Sequence, residues 1–137
     1  MEVRKAVITA AGRGVRLFPA ADTVQKAMLP LIDRDGLPKP AIQIIAEEAL
    51  SSGIEEICVI CAPGDEAQYL NQFRALRENL MEGYHGIDWA ALQAARIDEL
   101  LQRLHFAVQT EPLGFGHAVC CAKEFVGDQA MLLMLSD

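Results

Sequence analysis

Three segments of the chain carry side chains and spacings that could do chemistry. The first is Ala10-Ala11-Gly12-Arg13-Gly14-Val15-Arg16-Leu17-Phe18-Pro19, with Lys26 further on. Glycines let a backbone turn tightly and approach phosphates, and their N–H groups form an anion-binding nest. Arg16 can add a forked, permanently charged contact to phosphate oxygens, and Lys26 offers a second cation. The second segment is Gln109-Thr110-Glu111-Pro112-Leu113-Gly114-Phe115-Gly116-His117-Ala118-Val119. Here glycines again admit a flat ligand, and the Gln109 amide pairs a donor with an acceptor, as reading a base edge requires. The third is Asp137, a carboxylate at the tip of an apolar run. Mg²⁺ usually takes one or two carboxylates plus substrate phosphates, so Asp137 is a candidate metal ligand.

The glycine-rich turn fails two familiar tests. Leu17 stands where a dinucleotide fingerprint needs its third glycine, and no Gly-Lys-Ser/Thr follows as a Walker-type loop requires. A nucleotide loop with Arg16 and Lys26 on a triphosphate remains, beside the simpler reading of a tight turn with both cations solvated.

These segments need elements to hold them. At 137 residues, 52% hydrophobic and 23% charged, the chain can bury a core and is not a disordered tail. A net charge of −7 excludes a sequence-independent nucleic-acid footprint, so an anionic substrate needs its own local cationic site. Apolar runs without strict alternation predict buried strands over Val3–Thr9, Glu56–Cys61, Phe106–Gln109 and Ala130–Leu135. Ile42, Ile45, Ala46, Ala49 and Leu50 form a helical stripe, with Pro40 at its start and Gly53 just past its end. A second helix starts near Asp65 and ends at Gly83–Gly86. A third is capped by Asp88 and carries Trp89, Leu92, Ile97, Leu100 and Leu104 on one side; a fourth runs from Gly116 to Phe125. Strand and helix alternate, so the expected fold is α/β: Rossmann-like and doubly wound, a mostly parallel sheet with helices on both faces. The glycine-rich turn then falls at a strand end, where open α/β sheets bind ligands.

Other reactive residue types have plainer readings. Cys58 and Cys61 lie in a strand run without the turn of a zinc knuckle, and Cys120 and Cys121 are adjacent on a helix. All four are expected as small buried hydrophobes. The Glu47-Glu48 and Glu55-Glu56 pairs read as solvated faces, Trp89 as core, and His117 as either a ligand contact or a packing residue. His85 and His105 show no partner.

In its ordered motifs the chain resembles the sugar-phosphate nucleotidyltransferases, and within them the bacterial UTP–glucose-1-phosphate uridylyltransferases. The matching residues are Ala10 to Arg16, Pro19-Ala20, Lys26-Ala27-Met28-Leu29-Pro30, and Glu111 to Val119 with Ala122-Lys123 and Val126-Gly127-Asp128 after it. The resemblance implies transfer of a uridylyl group from UTP to glucose 1-phosphate, giving UDP-glucose and pyrophosphate. It implies Arg16 and Lys26 at the reacting phosphates, Ala11, Gly12 and Gly14 along the nucleotide, Gln109 and Gly114 facing the uracil, and Asp137 on Mg²⁺. The chain departs from the family pattern at Val15, Gln25, Ala27 and Ser136, and in the extra segment Arg34-Asp35-Gly36-Leu37-Pro38. Those departures keep two rivals open: a relative using dTTP, CTP or GTP, or a nucleotide-sensing module without turnover.

The N-terminus has no signal-peptide pattern, no run is long enough to span a membrane, and the cysteine usage fits a reducing compartment, so a cytoplasmic location is expected. The expected partners are a nucleoside triphosphate and a sugar 1-phosphate, with no nucleic acid and no membrane; homo-oligomerisation is left open. The chain stops straight out of an apolar run. Residues 1–137 are therefore expected to be the nucleotide-binding N-terminal part of a longer domain, inactive alone.

Overall fold

A computed structural model describes residues 2–12, 19 and 24–136. In chain order the elements are β1 (Lys5–Thr9), a 3-10 turn over Lys26–Met28, β2 (Pro30–Ile32), β3 (Pro38–Pro40), α1 (Ala41–Ser51), β4 (Glu56–Cys61), α2 (Asp65–Gly83), α3 (Asp88–Arg103), β5 (Leu104–Val108), α4 (Phe115–Cys120), α5 (Lys123–Val126) and β6 (Met131–Leu135).

The four long strands pair in parallel in the order β5-β4-β1-β6. Successive side chains on a strand point to opposite faces, and the two faces have separate cores. Ala6, Ile8, Ile57, Val59 and Cys61 pack with Ile42 and Ala46 of α1, Tyr69 and Phe73 of α2, and Ile97 and Leu100 of α3. Val7, Cys58 and Ile60 face the other way, under Ala118 and Ala122. Burial on both faces explains why β1 and β4 read as continuous apolar runs; β5 and β6, on the two edges of the sheet, are only partly covered, and Leu132, Leu133 and Leu135 are exposed rather than buried as expected. The expected doubly wound, Rossmann-like α/β class holds. Phe73 is fully buried, and truncating such a ring to alanine typically costs about 3–5 kcal/mol.

The stop of α1 follows from Gly53. Its φ of 98° is the left-handed conformation a glycine adopts freely. Gly53 N–H donates to the Leu50 carbonyl and Ile54 N–H to that of Ala49, both at 3.2 Å, and Ile54 is buried. This crossed pair satisfies carbonyls that the helix end would otherwise leave open.

Several expectations are corrected. Leu104 does not close the third helix; it opens β5 opposite Ile57, because the chain enters the sheet earlier than the apolar run suggested. Ile87 holds the cap position of α3, and Asp88 is its first helical residue, making no side-chain cap bond. The fourth helix is two short pieces. Cys121 and Ala122 N–H groups bond back three residues, tightening the turn between them. Trp89 is 40% exposed and rests on the Tyr84 ring at 5.0 Å rather than in the core. Cys120 is exposed and Cys121 half-buried, while Cys58 and Cys61 are buried as expected. The antiparallel hairpin of β2 and β3 was not anticipated. Its signal was Asp35-Gly36, a turn dipeptide inside the extra segment; Gly36 has φ 81° and donates to the Asp33 carbonyl.

Candidate functional site

A cleft of about 370 Å³ opens at the C-terminal ends of β1, β5 and β6. Thr9, Ala10, Ala11 and Gly12 come to it from β1, Gln109 from β5, and Leu135 and Ser136 from β6; Lys26, Pro112, Gly114 and Phe115 close the sides. The site follows from the topology. After β1 the chain leads to α1 on one face of the sheet, whereas after β5 it leads to α4 on the other. Such divergence leaves a crevice beyond the strand ends, the usual ligand position in open α/β sheets.

Main-chain bonds fix the rim. Ala10 N–H donates to the Ile60 carbonyl at 2.7 Å and Gln109 N–H to that of Cys61 at 2.9 Å, extending the sheet ladder past its strands. The Ser136 hydroxyl donates to the Thr9 carbonyl at 2.7 Å. Gln109 is nearly buried, and its side-chain Nε2 lies 3.2 Å from the Gly114 carbonyl oxygen and 3.0 Å from His117 Nδ1. Gly114 precedes α4 with φ 98° and ψ 178°, a conformation essentially restricted to glycine. Among the described residues no atom lies within 4 Å of where a Cβ would sit on Gly12 or Gly114. Lys26 stands on the 3-10 turn, which the buried Ala27 anchors in the core.

The structure therefore brings Ala11, Gly12, Lys26, Gln109 and Gly114 to one cleft. Gly14, Arg16 and Asp137 lie outside the described residues; Asp137 directly follows the tethered Ser136. Two contributions escaped the sequence reading. One is the contact of His117 with Gln109, which needed the fold of the intervening loop. The other is the Ser136 tether.

A larger, open hollow of about 600 Å³ lies away from the strand ends, lined by Asp33, Arg34, Glu47, Glu48, Arg96 and Glu99 among others. Its wall mixes both signs of charge and includes no described glycine, whereas the smaller cleft has Gly12, Gly114 and Lys26 on its wall and is the better site for a phosphorylated ligand. Beside the hollow, Lys39 is buried with its Nζ 2.7 Å from Asp33, 2.9 Å from Asp35 and 3.3 Å from Glu47. Burial opposes the charge on Lys39, but hydrogen bonds to Asp33, Asp35 and Glu47 outweigh it and hold the ammonium above the usual lysine range. The same bonds from Lys39 hold Asp33 and Asp35 below the usual carboxylate range, helped by the main-chain N–H groups of Arg34 and Leu37. Glu47 is thus an ion-pair partner rather than part of a solvated face.

Among the described residues no group of three His, Cys, Asp or Glu side chains could hold a metal. Cys58 and Cys61 belong to cores on opposite faces of the sheet, and burial raises their thiols to about 11 and about 12. No described helix is long and apolar enough to cross a membrane.

Comparison with known proteins adds an independent line. The family model described as Nucleotidyl transferase matches residues 5–137. The chain is 41% identical over 138 residues to the UTP--glucose-1-phosphate uridylyltransferase YngB of Bacillus subtilis (strain 168), and 43% identical to a UTP--glucose-1-phosphate uridylyltransferase of Streptococcus pneumoniae serotype 4. In both matches 99% of this chain is covered, against 44% and 43% of the relatives, so the chain spans less than half their length. Among solved structures, a UDP-glucose pyrophosphorylase from Acinetobacter baumannii superposes with TM-score 0.75 at 30% identity. A UTP-bound UGPase from the same organism superposes with TM-score 0.73 at 28% identity. Each match covers 98% of this chain and 46% of the solved one.

Proposed function

The chain belongs to the nucleotidyl transferase family, and from that premise we propose that it forms the nucleotide-binding part of an enzyme transferring a uridylyl group from UTP to glucose 1-phosphate. The observation that carries this reading is the cleft itself. It combines the glycines Gly12 and Gly114, a lysine and a nearly buried glutamine at the strand ends. The names of the relatives support UTP and glucose 1-phosphate over other substrate pairs.

In this reading a phosphate oxygen of glucose 1-phosphate attacks the α-phosphorus of UTP in line, the bond to the β-phosphate oxygen breaks, and pyrophosphate leaves. Such transfers depend on positioning and charge neutralisation. Ala11, Gly12 and Gly14 lie along the nucleotide. Arg16 holds the departing phosphates with its fork, and Lys26 contacts those at the reacting centre. Gln109 and Gly114 face the uracil.

Mg²⁺ fits the donor set through Asp137 alone, since one carboxylate plus triphosphate oxygens is a common way to bind it. Its role when bound is to offset charge on the phosphates. The tie from Ser136 to Thr9 supports this assignment, because it holds the chain next to Asp137 against the cleft floor.

Titration calorimetry of UTP with Mg²⁺ into the chain tests the reading. Arg16→Ala and Lys26→Ala should each weaken UTP binding about tenfold or more, as expected for lost charge-assisted contacts. Unchanged affinity in both variants overturns the site assignment. Tighter binding of dTTP, CTP or GTP than of UTP points instead to a relative with another nucleotide.

A further inference from the structure

We infer that His117 is a positioning residue that sets which way round Gln109 presents its amide, and so makes the cleft prefer a base with an N–H donor at its reading edge over one with a bare acceptor. This rests on the proposed reading in which Gln109 faces the base.

The argument starts from a carbonyl that can only accept. Gln109 approaches the Gly114 oxygen at 3.2 Å through one side-chain atom. An amide oxygen there would set two acceptors against each other, so that atom is the NH₂ nitrogen. The same nitrogen lies 3.0 Å from His117 Nδ1. With one hydrogen directed to each neighbour, Nδ1 must contribute a lone pair, so the imidazole is neutral with its proton on Nε2.

Neither neighbour is free to turn away. The Gly114 carbonyl also accepts the Ala118 N–H at 3.1 Å in the first turn of α4, and φ 98° with ψ 178° is a narrow backbone state. His117 sits in α4, whose Ala118 is packed against the sheet.

Both Gln109 hydrogens are thereby committed inside the protein. What the side chain can still offer a ligand is Oε1, an acceptor. Uracil and thymine carry an N3–H that meets such an acceptor; cytosine carries a bare N3 that would oppose it. Discrimination between UTP and CTP thus depends on Gln109 as the contact and on His117 as the residue that orients it. A histidine protonated at Nδ1 would set N–H against N–H and press the amide to turn round.

Two measurements test this. Side-chain ¹⁵N NMR of the unaltered chain at pH 8, with no nucleotide added, should show His117 protonated on Nε2 and bare on Nδ1. A proton on Nδ1 overturns the inference. Calorimetry then gives the ratio of CTP to UTP dissociation constants in the unaltered chain, His117→Leu, His117→Asn and Gln109→Ala. The ratio should exceed one in the unaltered chain, fall about tenfold in His117→Leu, where one orienting hydrogen bond is lost, and recover in His117→Asn, whose Oδ1 can accept in place of Nδ1. A ratio that collapses in Gln109→Ala but stays put in His117→Leu overturns the role of His117 and leaves base reading by Gln109 intact. A ratio unmoved by Gln109→Ala overturns base reading itself, and the inference with it.

Discussion

The hydroxyl of Ser136 donates to the main-chain carbonyl of Thr9 at 2.7 Å, tying the residue after β6 to the end of β1. Glycine or proline at this position has no side-chain donor and could make no such bond. Ser136→Ala should lower stability by about 1 kcal/mol, the typical net value of one such hydrogen bond. Urea denaturation checks this. The variant should also bind UTP less tightly in the presence of Mg²⁺, since the chain beside Asp137 is then held less firmly.

Gly12 and Gly114 should respond differently to alanine. Gly114 has φ 98°, so Gly114→Ala forces strained backbone and should cost about 1–3 kcal/mol in thermal or urea unfolding. Gly12 is not among the positive-φ glycines, and among the described residues nothing lies within 4 Å of its Cβ position. Gly12→Ala should therefore fold with near-normal stability and, if Gly12 lies along the nucleotide as proposed, lose UTP affinity to the added methyl. Normal UTP binding by Gly12→Ala would count against its place along the nucleotide.

Lys39 should be the costliest charge to remove. Lys39→Met strands Asp33, Asp35 and Glu47 around a neutral side chain. The expected loss at pH 7 is about 3 kcal/mol, the low end for breaking a buried pair, since the carboxylates are only partly covered. The pH dependence has a definite sign. Asp33 and Asp35 are held below their unfolded value of roughly 3.9, so their contribution is present above that pH and is lost as pH falls through the folded value. In Lys39→Met acid instead relieves repulsion, so the gap between the two proteins should narrow below about pH 4. Lys39 itself is held above the unfolded lysine value of roughly 10.4, so its contribution is present below that pH and lost as pH rises through the folded value. Urea midpoints across pH 3–7 check the acid side.

Thiol labelling should separate the cysteines by fold position. Cys120 is exposed, whereas burial pushes Cys58 to about 11 and Cys61 to about 12. Iodoacetamide at pH 8 should modify Cys120 first and Cys121 more slowly, leaving Cys58 and Cys61 intact until the chain unfolds. Because the unfolded thiols ionise near roughly 8.5, these two buried groups make stability fall as pH rises above that value. Rapid labelling of Cys58 in the native chain would contradict its place in the core.

Much of the fold was legible because its signals are local and redundant. Ile42 to Leu50 repeat at helical spacing, and Gly53 closes that helix through its own backbone freedom. The four apolar runs became the four parallel strands. Where the reading slipped, the deciding force was not local. Leu104 continues a helical stripe, yet pairing with Ile57 draws it into β5. Trp89 is as apolar as a core residue, yet the start of α3 faces solvent there. Glu47 and Glu48 look alike as neighbours, but only Glu47 turns toward Lys39.

The α/β class and the two glycine-bearing segments were legible in the sequence, because turns and periodicities are written in neighbouring residues. That Lys26, Gln109 and Ser136 share one cleft, and that His117 meets Gln109, follows from the fold alone. Those relationships are set by strand order and loop path, which bring distant residues together. No spacing along the chain records them.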